Sequence, residues 1–172
     1  MKAYVAVATI ALLAAFAGPT CAQQVQGAGS EIAFTSKQMG VPVDGKFKTF
    51  TAQVAFDPKQ PEAAKIGFTI DLASVSLGAA ETETEIAKAD WFDTKKFPQA
   101  TFQSTAVKAT GAGRYEVTGT LKIKGASQNV VVPVALAQSG AATTATGTFV
   151  IKRLDFRIGD GEWKDTSMVA ND

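Results

Sequence analysis

The side chains in this sequence that could perform acid–base chemistry are carboxylates. Asp90 and Asp93 enclose a Trp-Phe pair, and Asp155 lies two residues after Arg153. Two carboxyl groups at a suitable separation can act as general acid and general base in a hydrolase. Aspartate is also frequent in turns, where its side chain bonds the backbone two residues further on. Because turn formation explains these aspartates without a substrate, we predict no catalytic residues.

Other kinds of catalytic site are excluded by the residue types that the sequence lacks. It contains no histidine and a single cysteine, Cys21. Ser-His-Asp and Cys-His catalysis both need an imidazole, and zinc sites are built mainly on histidine and cysteine. We therefore predict no metal site and no cofactor, and a function that depends on binding rather than on turnover.

The N-terminal segment has the organisation of a secretory signal peptide. Lys2 supplies a cationic start, residues 3–17 are apolar except for Thr9, and small residues precede and include Ala22. These are the three regions that define such a peptide. We predict cleavage after Ala22 and a periplasmic domain over residues 23–172. We predict no membrane span, because the apolar segment is shorter than the ~20 residues that a span needs.

Cleavage would also change the composition of the mature chain. The full sequence has 17 basic and 16 acidic residues, and the loss of Lys2 would make the two numbers equal. A domain without a basic excess lacks the electrostatic attraction that dominates nucleic-acid binding. The loss of Cys21 would leave no disulfide, so side-chain packing must stabilise the fold. We predict no nucleic-acid partner.

Apolar and polar residues alternate along most of the mature chain. This period of two predicts β-strands, because successive side chains of a strand point to opposite faces. Phe47 and Phe50 differ in parity, which predicts a bulge near Gly45 or a second buried face. The residues predicted to face inward are Ile32, Phe34, Phe50, Ala52, Val54, Phe56, Ile66, Phe68, Ile70, Leu72, Ala100, Phe102, Ser104, Ala106, Tyr115, Val117, Gly119, Leu121, Ile123, Val130, Val132, Val134, Leu136, Gly147, Phe149, Ile151 and Arg153.

One segment does not alternate. Residues 81–93 predict a short helix or structured loop, with acidic residues near its start, where the helix dipole favours them. Many short strands, one helical insertion and no βαβ rhythm predict an all-β fold, either an antiparallel barrel or a sandwich. The interior of an eight-stranded barrel is filled by side chains or is just wide enough for one slim ligand. Alternation alone does not distinguish these two cases.

A series of short motifs resembles the YceI-like family in order and spacing, from Ser30 to Asp172. The motifs are Ser30-x-Ile32-x-Phe34, Gly45-x-Phe47, Phe56-Asp57-Pro58, Asp90-Trp91-Phe92-Asp93, Phe97-Pro98-x-Ala100-x-Phe102, Gly119-x-Leu121-x-Ile123-x-Gly125 and Arg153-x-Asp155-Phe156-x-Ile158-Gly159. That family comprises bacterial periplasmic polyisoprenoid-binding proteins. The resemblance implies an eight-stranded antiparallel lipocalin-like β-barrel whose elongated apolar cavity holds an isoprenoid lipid, such as a polyprenyl phosphate or a quinone tail. It implies no catalytic residues.

The sequence departs from the family pattern at two places. Arg157 stands where the family often has glycine, between Phe156 and Ile158. The family usually continues after the Trp163 segment into one last strand, whereas this sequence stops at Asp172. A barrel without that strand would expose unpaired backbone groups along a seam. We expect a truncated sequence; the alternative is a partner that covers the edge.

The resemblance and the strand parity together predict the ligand-binding residues. The lumen positions expected to contact the isoprenoid chain are Phe34, Phe68, Ile70, Phe102, Tyr115, Val117, Leu121, Val132 and Phe149. Trp91 and Phe92 are predicted at the mouth, because aromatic rings suit a boundary between an apolar lumen and water. Arg153 is a candidate for a phosphate head group, since a guanidinium fork fits phosphate oxygens. Its alternative role is a structural pair with Asp155 or another carboxylate.

Three functions remain open from the sequence. The favoured one is a periplasmic carrier that holds an isoprenoid lipid in an apolar cavity. The second is a ligand-free structural or stress-related interaction module, which requires an interior filled by side chains. The third and least favoured is a carboxylate-dependent hydrolase. The sequence does not set the oligomeric state, for which a two-fold homodimer is the commonest arrangement.

Overall fold

The computed structural model describes residues 29–140 and 142–172. These residues form one α-helix and nine β-strands, and the strands make up two antiparallel sheets. The predicted signal peptide, residues 1–22, and its cleavage site lie outside the described residues. No helix among the described residues is both long enough and apolar enough to cross a membrane.

The smaller sheet has three strands, in the order β1 (Ile32–Gln38), β2 (Val41–Phe47) and β5 (Val75–Ser76). Strands β1 and β2 form a hairpin whose register runs without interruption from Ile32 opposite Phe47 to Gln38 opposite Val41. The two turn residues, Met39 and Gly40, have φ angles of 47° and 79°. Two positive φ angles in a two-residue loop match the right-handed twist of the flanking strands.

The larger sheet has six strands, all paired with their neighbours in an antiparallel sense. Their order is β3 (Phe50–Ala55), β4 (Lys65–Asp71), β6 (Gln99–Gly111), β7 (Arg114–Ile123), β8 (Ala126–Ser139) and β9 (Ala142–Gly147). From β6 onwards, consecutive strands are joined by short turns that contain Gly113, Gly125 and Gly140, each with a positive φ angle. The result is a curled antiparallel sheet that forms a half-barrel.

The parity change at Phe47 marks a corner between the two sheets. Residues Lys48 and Thr49 separate β2, in the smaller sheet, from β3, in the larger one. The pairing of β1 with β2 is continuous at Gly45, so the chain has no bulge there. Of the two alternatives predicted from the parity of Phe47, the bulge near Gly45 is therefore wrong. The chain changes sheet instead, so Phe47 and Phe50 belong to different strands.

A bulge that the sequence did not predict lies in β6 at Thr105. The pairing with β7 passes from Ser104 opposite Gly119 directly to Ala106 opposite Thr118. The extra residue inverts the facing of the strand beyond it, so Val107 is buried and Ala106 is exposed. The inward position predicted for Ala106 is wrong for this reason.

The predicted helical segment contains a helix that is shorter than expected. Helix α1 (Ala80–Ile86) is followed by a series of turns that reaches Phe97. Glu83, in its first turn, accepts a hydrogen bond from the Leu77 backbone N–H at 2.9 Å. This bond holds the pKa of the Glu83 carboxyl below its usual value. The carboxylate thereby ties the start of the helix to the end of β5.

The fold-class prediction is confirmed: the protein is all-β, antiparallel and lipocalin-like, with one short helical insertion. The described strands number nine rather than eight, and one of them, β5, has only two residues. The strand predicted over residues 147–153 is wrong, because β9 ends at Gly147. Two 3-10 turns follow, Arg153–Phe156 and Gly161–Lys164, and Val169 makes an isolated bridge to Gln38 of β1.

Candidate functional site

The floor of the half-barrel is built by the inward parity of β6 and β7. On β7 the alternation predicted from the sequence is confirmed, because every second residue from Tyr115 to Ile123 is buried. The ring of Phe102 on β6 lies 6.4 Å from that of Phe68 on β4, and Tyr115 meets Phe56 edge-on at 5.0 Å. The site candidates Phe102, Tyr115, Val117 and Leu121 all belong to this buried floor.

A second aromatic group joins the smaller sheet to the turns that follow α1. The ring of Phe47 lies 5.5 Å from that of Phe34 and 6.0 Å from that of Phe92. The ring of Trp91 lies 5.5 Å from that of Trp163. Both Trp91 and Phe92 are buried in the core. Their predicted place at a mouth exposed to water is therefore wrong, because tertiary contacts that include Phe47 and Trp163 cover them.

Four of the site candidates are only partly buried. Phe34, Phe68, Ile70 and Val132 pack against the buried core but are only half-buried. The same is true of the inward residues next to Val132 on β8, which are Val130, Val134 and Leu136. Half-buried apolar side chains of the predicted inward parity therefore lie on β1, β4 and β8.

Phe149 does not belong to this inner face. It follows the end of β9, lies outside any strand and is 38% exposed. The prediction that it lines the lumen extended the alternation of β9 beyond Gly147. A strand needs a hydrogen-bonded neighbour to persist, and among the described residues no strand pairs with residues 148–152.

A cleft of about 420 Å³ opens at the corner between β2 and β3. It is lined by Ser30, Glu31, Lys46, Phe47, Lys48, Thr49 and Phe50. Only Phe47 connects it to the aromatic group, and Lys46 bridges Glu31 at 3.4 Å across it. With charged side chains in its wall, this cleft is not the elongated apolar cavity that the family resemblance implies.

Comparison with known proteins identifies the family. The family model of the YceI-like domain matches residues 23–172. The chain belongs to the YceI-like family. The resemblance stated from the short motifs is thereby confirmed.

Relatives of this YceI-like chain agree with that result. A UPF0312 protein of Ectopseudomonas mendocina is 36% identical over 120 residues, which cover 66% of this chain and 63% of that protein. The crystal structure of Burkholderia cenocepacia BcnA is 49% identical, has a TM-score of 0.84, and the match covers 86% of this chain and 93% of that one. A polyisoprenoid binding domain from Saccharophagus degradans is 17% identical with a TM-score of 0.60, over 74% of this chain and 76% of that one. At that identity the last match shows the shared fold alone.

Arg153, in the last YceI-like motif, binds five backbone carbonyls with its guanidinium group. Its Nε donates to the Ala170 carbonyl at 2.9 Å, and its Nη1 donates to the carbonyls of Ile158 and Gly159, both at 2.9 Å. Its Nη2 donates to the carbonyls of Trp163 and Val169 at 2.7 and 2.8 Å. A guanidinium has five N–H donors, and all are used by these carbonyls.

The head-group role predicted for Arg153 is therefore not supported. The side chain is 7% exposed, and it has no donor left for a phosphate oxygen. The alternative pair with Asp155 is not formed either, because the partners are backbone carbonyls. Burial lowers the pKa of Arg153, and the nearby charge of Asp160 opposes that shift. The cation instead joins the turns at residues 158–163 to the segment at residues 169–170.

The main chain of the aspartates in the YceI-like motifs takes part in backbone turns. The Asp90 carbonyl accepts the N–H groups of Gly159 and Asp160 at 2.8 and 3.0 Å. The Asp93 carbonyl accepts the N–H of Phe97 at 2.8 Å, and Asp93 itself has a φ angle of 49°. These contacts are made by the main chain, and they order the loops around Trp91. Within residues 29–140 and 142–172, no three acidic residues are grouped to hold a metal ion.

Lys124 is a buried cation that sequence reasoning missed. It is 9% exposed, and its Nζ donates to the Arg157 carbonyl at 2.7 Å. Burial lowers the pKa of Lys124, while the charges of Asp160, Asp93 and Asp90 act in the opposite direction. One feature of the sequence could have drawn attention to Lys124. Lys124-Gly125 forms a two-residue hairpin turn in which both φ angles are positive, and lysine stands where asparagine is the usual residue.

Proposed function

We propose that this protein is a periplasmic binding protein that holds an isoprenoid lipid against the apolar inner face of its half-barrel. The observation that carries the proposal is the half-buried state of Phe34, Phe68, Ile70 and Val132 on that face. Apolar side chains that pack on one side and stay open on the other offer a surface for an apolar ligand. Burying apolar area contributes about 25 cal/mol per Å², so a long prenyl chain can gain substantial affinity without polar contacts.

Two further observations support the choice of lipid. The Saccharophagus degradans domain, which shares the fold, is described as polyisoprenoid binding. The inner wall on β8 also lies within residues 125–151, which contain no charged residue. A neutral prenyl chain can lie along such a wall without leaving a charge buried and unpaired. The signal-peptide pattern predicted for residues 1–22 supports the proposed periplasmic location.

Binding rather than catalysis is also the better account of the polar groups. The cations Arg153 and Lys124 are committed to backbone carbonyls. The main chain of Asp90 and Asp93 orders the loops around Trp91. We therefore propose no turnover, and a ligand held by shape and apolar contact.

A second candidate function is a ligand-free interaction module. The observation that favours it is the filled floor, where Phe102, Val117 and Leu121 are each less than a tenth exposed. A protein that only scaffolds other proteins needs such a floor and no ligand. The two functions differ in whether prenyl lipid accompanies the purified protein.

The test begins with protein purified from its native host. Lipid extraction followed by mass spectrometry is expected to recover a prenyl lipid in stoichiometric amount. Recovery of none from several independent preparations would favour the ligand-free module. Fractionation of the host cells is expected to place the protein in the periplasmic fraction.

A matched pair of variants then tests the proposed face. Val132→Glu places a carboxylate on the half-buried inner face of β8, whereas Val131→Glu places it on the opposite face, where Val131 is 54% exposed. We expect Val132→Glu to lose binding of a fluorescent prenyl probe and Val131→Glu to keep it. Equal binding by two folded variants would contradict the proposed face.

A further inference from the structure

The corner cleft, which is the pocket lined by residues 30–31 and 46–50, has the size and the charge of an anion site. Its volume of about 420 Å³ lies within the range of small-molecule sites, about 300–1,000 Å³. Lys46 and Lys48 line it, and Glu31 is the single acidic residue among the described residues of its wall. The lysines outweigh the glutamate by one positive charge, so the cleft favours an anionic ligand.

The part of the wall that carries Lys48 is held in place by the main chain. The Lys48 N–H donates to the Ser74 carbonyl at 3.0 Å, and the Thr49 N–H donates to the Ser74 hydroxyl at 3.0 Å. The Thr49 carbonyl accepts the Asp71 N–H at 3.0 Å. A site that is ordered before binding loses less conformational freedom when its ligand arrives. The backbone beside Lys48 is therefore already arranged for binding.

Phe47 joins the corner cleft to the apolar face proposed for the prenyl chain. Its ring belongs to the wall of the cleft and lies 5.5 Å from the ring of Phe34. Phe34 is one of the half-buried side chains proposed to contact that chain. One aromatic residue thus connects the apolar surface with the two lysines. A molecule with an apolar chain and an acidic end matches this order of surfaces.

The two lysines of the corner cleft remain accessible to a ligand. Lys46 and Lys48 are exposed, whereas the buried cations Arg153 and Lys124 donate to backbone carbonyls. Lys46 bridges Glu31 at 3.4 Å, with both side chains more than half exposed. Exposed ion pairs are weak, so a more highly charged anion can draw Lys46 away from Glu31.

We propose that the corner cleft binds the phosphate head group of a prenyl lipid, with Lys46 and Lys48 as its cationic contacts. This inference rests on the proposed function, because the prenyl chain of the same molecule lies on the apolar face. A phosphate monoester carries a charge of about −1.5 to −2 at neutral pH, and two lysines balance that charge. Lysine binds phosphate as a point charge, and the Thr49 hydroxyl in the same wall can donate to a phosphate oxygen.

A pair of probes tests the head group. Farnesyl phosphate and farnesol have the same prenyl chain and differ only in the phosphate. We expect the protein to bind farnesyl phosphate about tenfold more tightly than farnesol at low salt, because contacts between charged groups are added. Calorimetric titration measures both affinities. Added salt is expected to remove most of the difference, since it screens exposed charges. Equal affinities at low salt would overturn the proposal.

Variants of the two lysines locate the phosphate. Lys46→Gln with Lys48→Gln is expected to reduce the affinity for farnesyl phosphate to that for farnesol and to leave the affinity for farnesol unchanged. The matched control is Lys108→Gln with Lys122→Gln, which removes the same charge from exposed positions on β6 and β7. The control is expected to keep the preference for the phosphate. A preference that survives in the cleft variant, or that disappears in the control, would overturn the proposal.

Removing the carboxylate of the corner cleft should have the opposite effect. Glu31→Gln takes a like charge away from the phosphate and frees Lys46 from its ion pair. We expect this variant to bind farnesyl phosphate about threefold more tightly than the wild type, a change typical of one exposed charge pair, and to bind farnesol equally. Unchanged or weaker binding of farnesyl phosphate would place the phosphate away from Lys46 and contradict the assignment.

Inorganic phosphate distinguishes a lipid head group from a free anion. Its binding is followed by the amide signals of Lys48 and Thr49 in NMR spectra, and we expect it to be far weaker than that of farnesyl phosphate. Inorganic phosphate that binds as tightly as farnesyl phosphate would overturn the assignment to a lipid. Binding of neither farnesyl probe would reject the proposed function. Binding of farnesol without a preference for the phosphate would leave the proposed function standing and reject this inference alone.

Discussion

The ring of Phe102 on β6 lies over Gly119 on the neighbouring strand β7. A Cβ atom on Gly119 would lie 2.5 Å from the Gln103 carbonyl oxygen and closer still to Cζ of Phe102. Glycine at this position therefore makes room for the central aromatic ring of the floor. The same relationship recurs in the smaller sheet, where Phe34 lies over Gly45.

This relationship predicts that Gly119→Ala destabilises the fold. The added methyl group forces the Phe102 ring or the backbone to move, and such overpacking costs about 1–3 kcal/mol. Urea denaturation followed by circular dichroism measures the loss. The matched control is Gly111→Ala, because nothing lies within 4 Å of a Cβ atom there. Equal losses for the two variants would contradict the packing argument.

Removing a phenylalanine ring should distinguish the floor from the exposed loop after β9. Phe102 is 7% exposed and Phe149 is 38% exposed. We expect Phe102→Ala to cost about 3–5 kcal/mol, the range for a buried aromatic side chain, and Phe149→Ala to cost much less. The measurement is the free energy of unfolding of each variant. A larger loss of stability for Phe149→Ala would show that the Phe149 ring packs in the core.

Arg153→Lys should be strongly destabilising although it conserves the charge. A lysine ammonium has three donors and no planar fork, so it cannot serve the five carbonyls that the guanidinium binds. Each buried acceptor left without a partner costs roughly 1–3 kcal/mol, and we expect a total loss of about 3 kcal/mol. Thermal and urea denaturation give the value. Arg114→Lys, at the exposed start of β7, is the control and should change stability little.

The same variant separates the structural role of Arg153 from a head-group role. At a temperature where Arg153→Lys remains folded, its relative affinity for phosphorylated and neutral prenyl probes is expected to match that of the wild type. A selective loss of affinity for the phosphorylated probe would assign Arg153 to the ligand.

The burial of Lys124 predicts a pH dependence of stability. Burial holds the pKa of Lys124 below its ordinary value, which is about 10.4 in an unfolded chain. Between the folded-state pKa and that value the unfolded state binds more protons, so stability due to this group rises with pH. Below the folded-state pKa its contribution no longer changes.

The measurement is the difference between wild type and Lys124→Met. Urea midpoints are recorded from neutral pH to about 10.4, and the subtraction removes the titration of groups common to both proteins. We expect the wild type to gain stability relative to the variant as pH rises. Parallel curves would contradict a lowered pKa for Lys124.

The sequence by itself determined the fold class, the family and the inward parity of β7. Period-two alternation is a property of each strand, because neighbouring side chains must point to opposite faces whatever the partner strand is. The alternation from Tyr115 to Ile123 therefore survives in the structure without change. Motif order likewise identified the family, whose model matches residues 23–172.

Only the tertiary structure decided where the alternation stops and which polar side chains have their hydrogen bonds taken up by the backbone. The bulge at Thr105 and the end of β9 at Gly147 depend on the neighbouring strand, which lies elsewhere in the sequence. The role of Arg153 depends on carbonyls between Ile158 and Ala170 that converge on one guanidinium. A single residue's type gives its capacity to donate hydrogen bonds. The folded backbone decides which acceptors come within hydrogen-bonding distance of those donors.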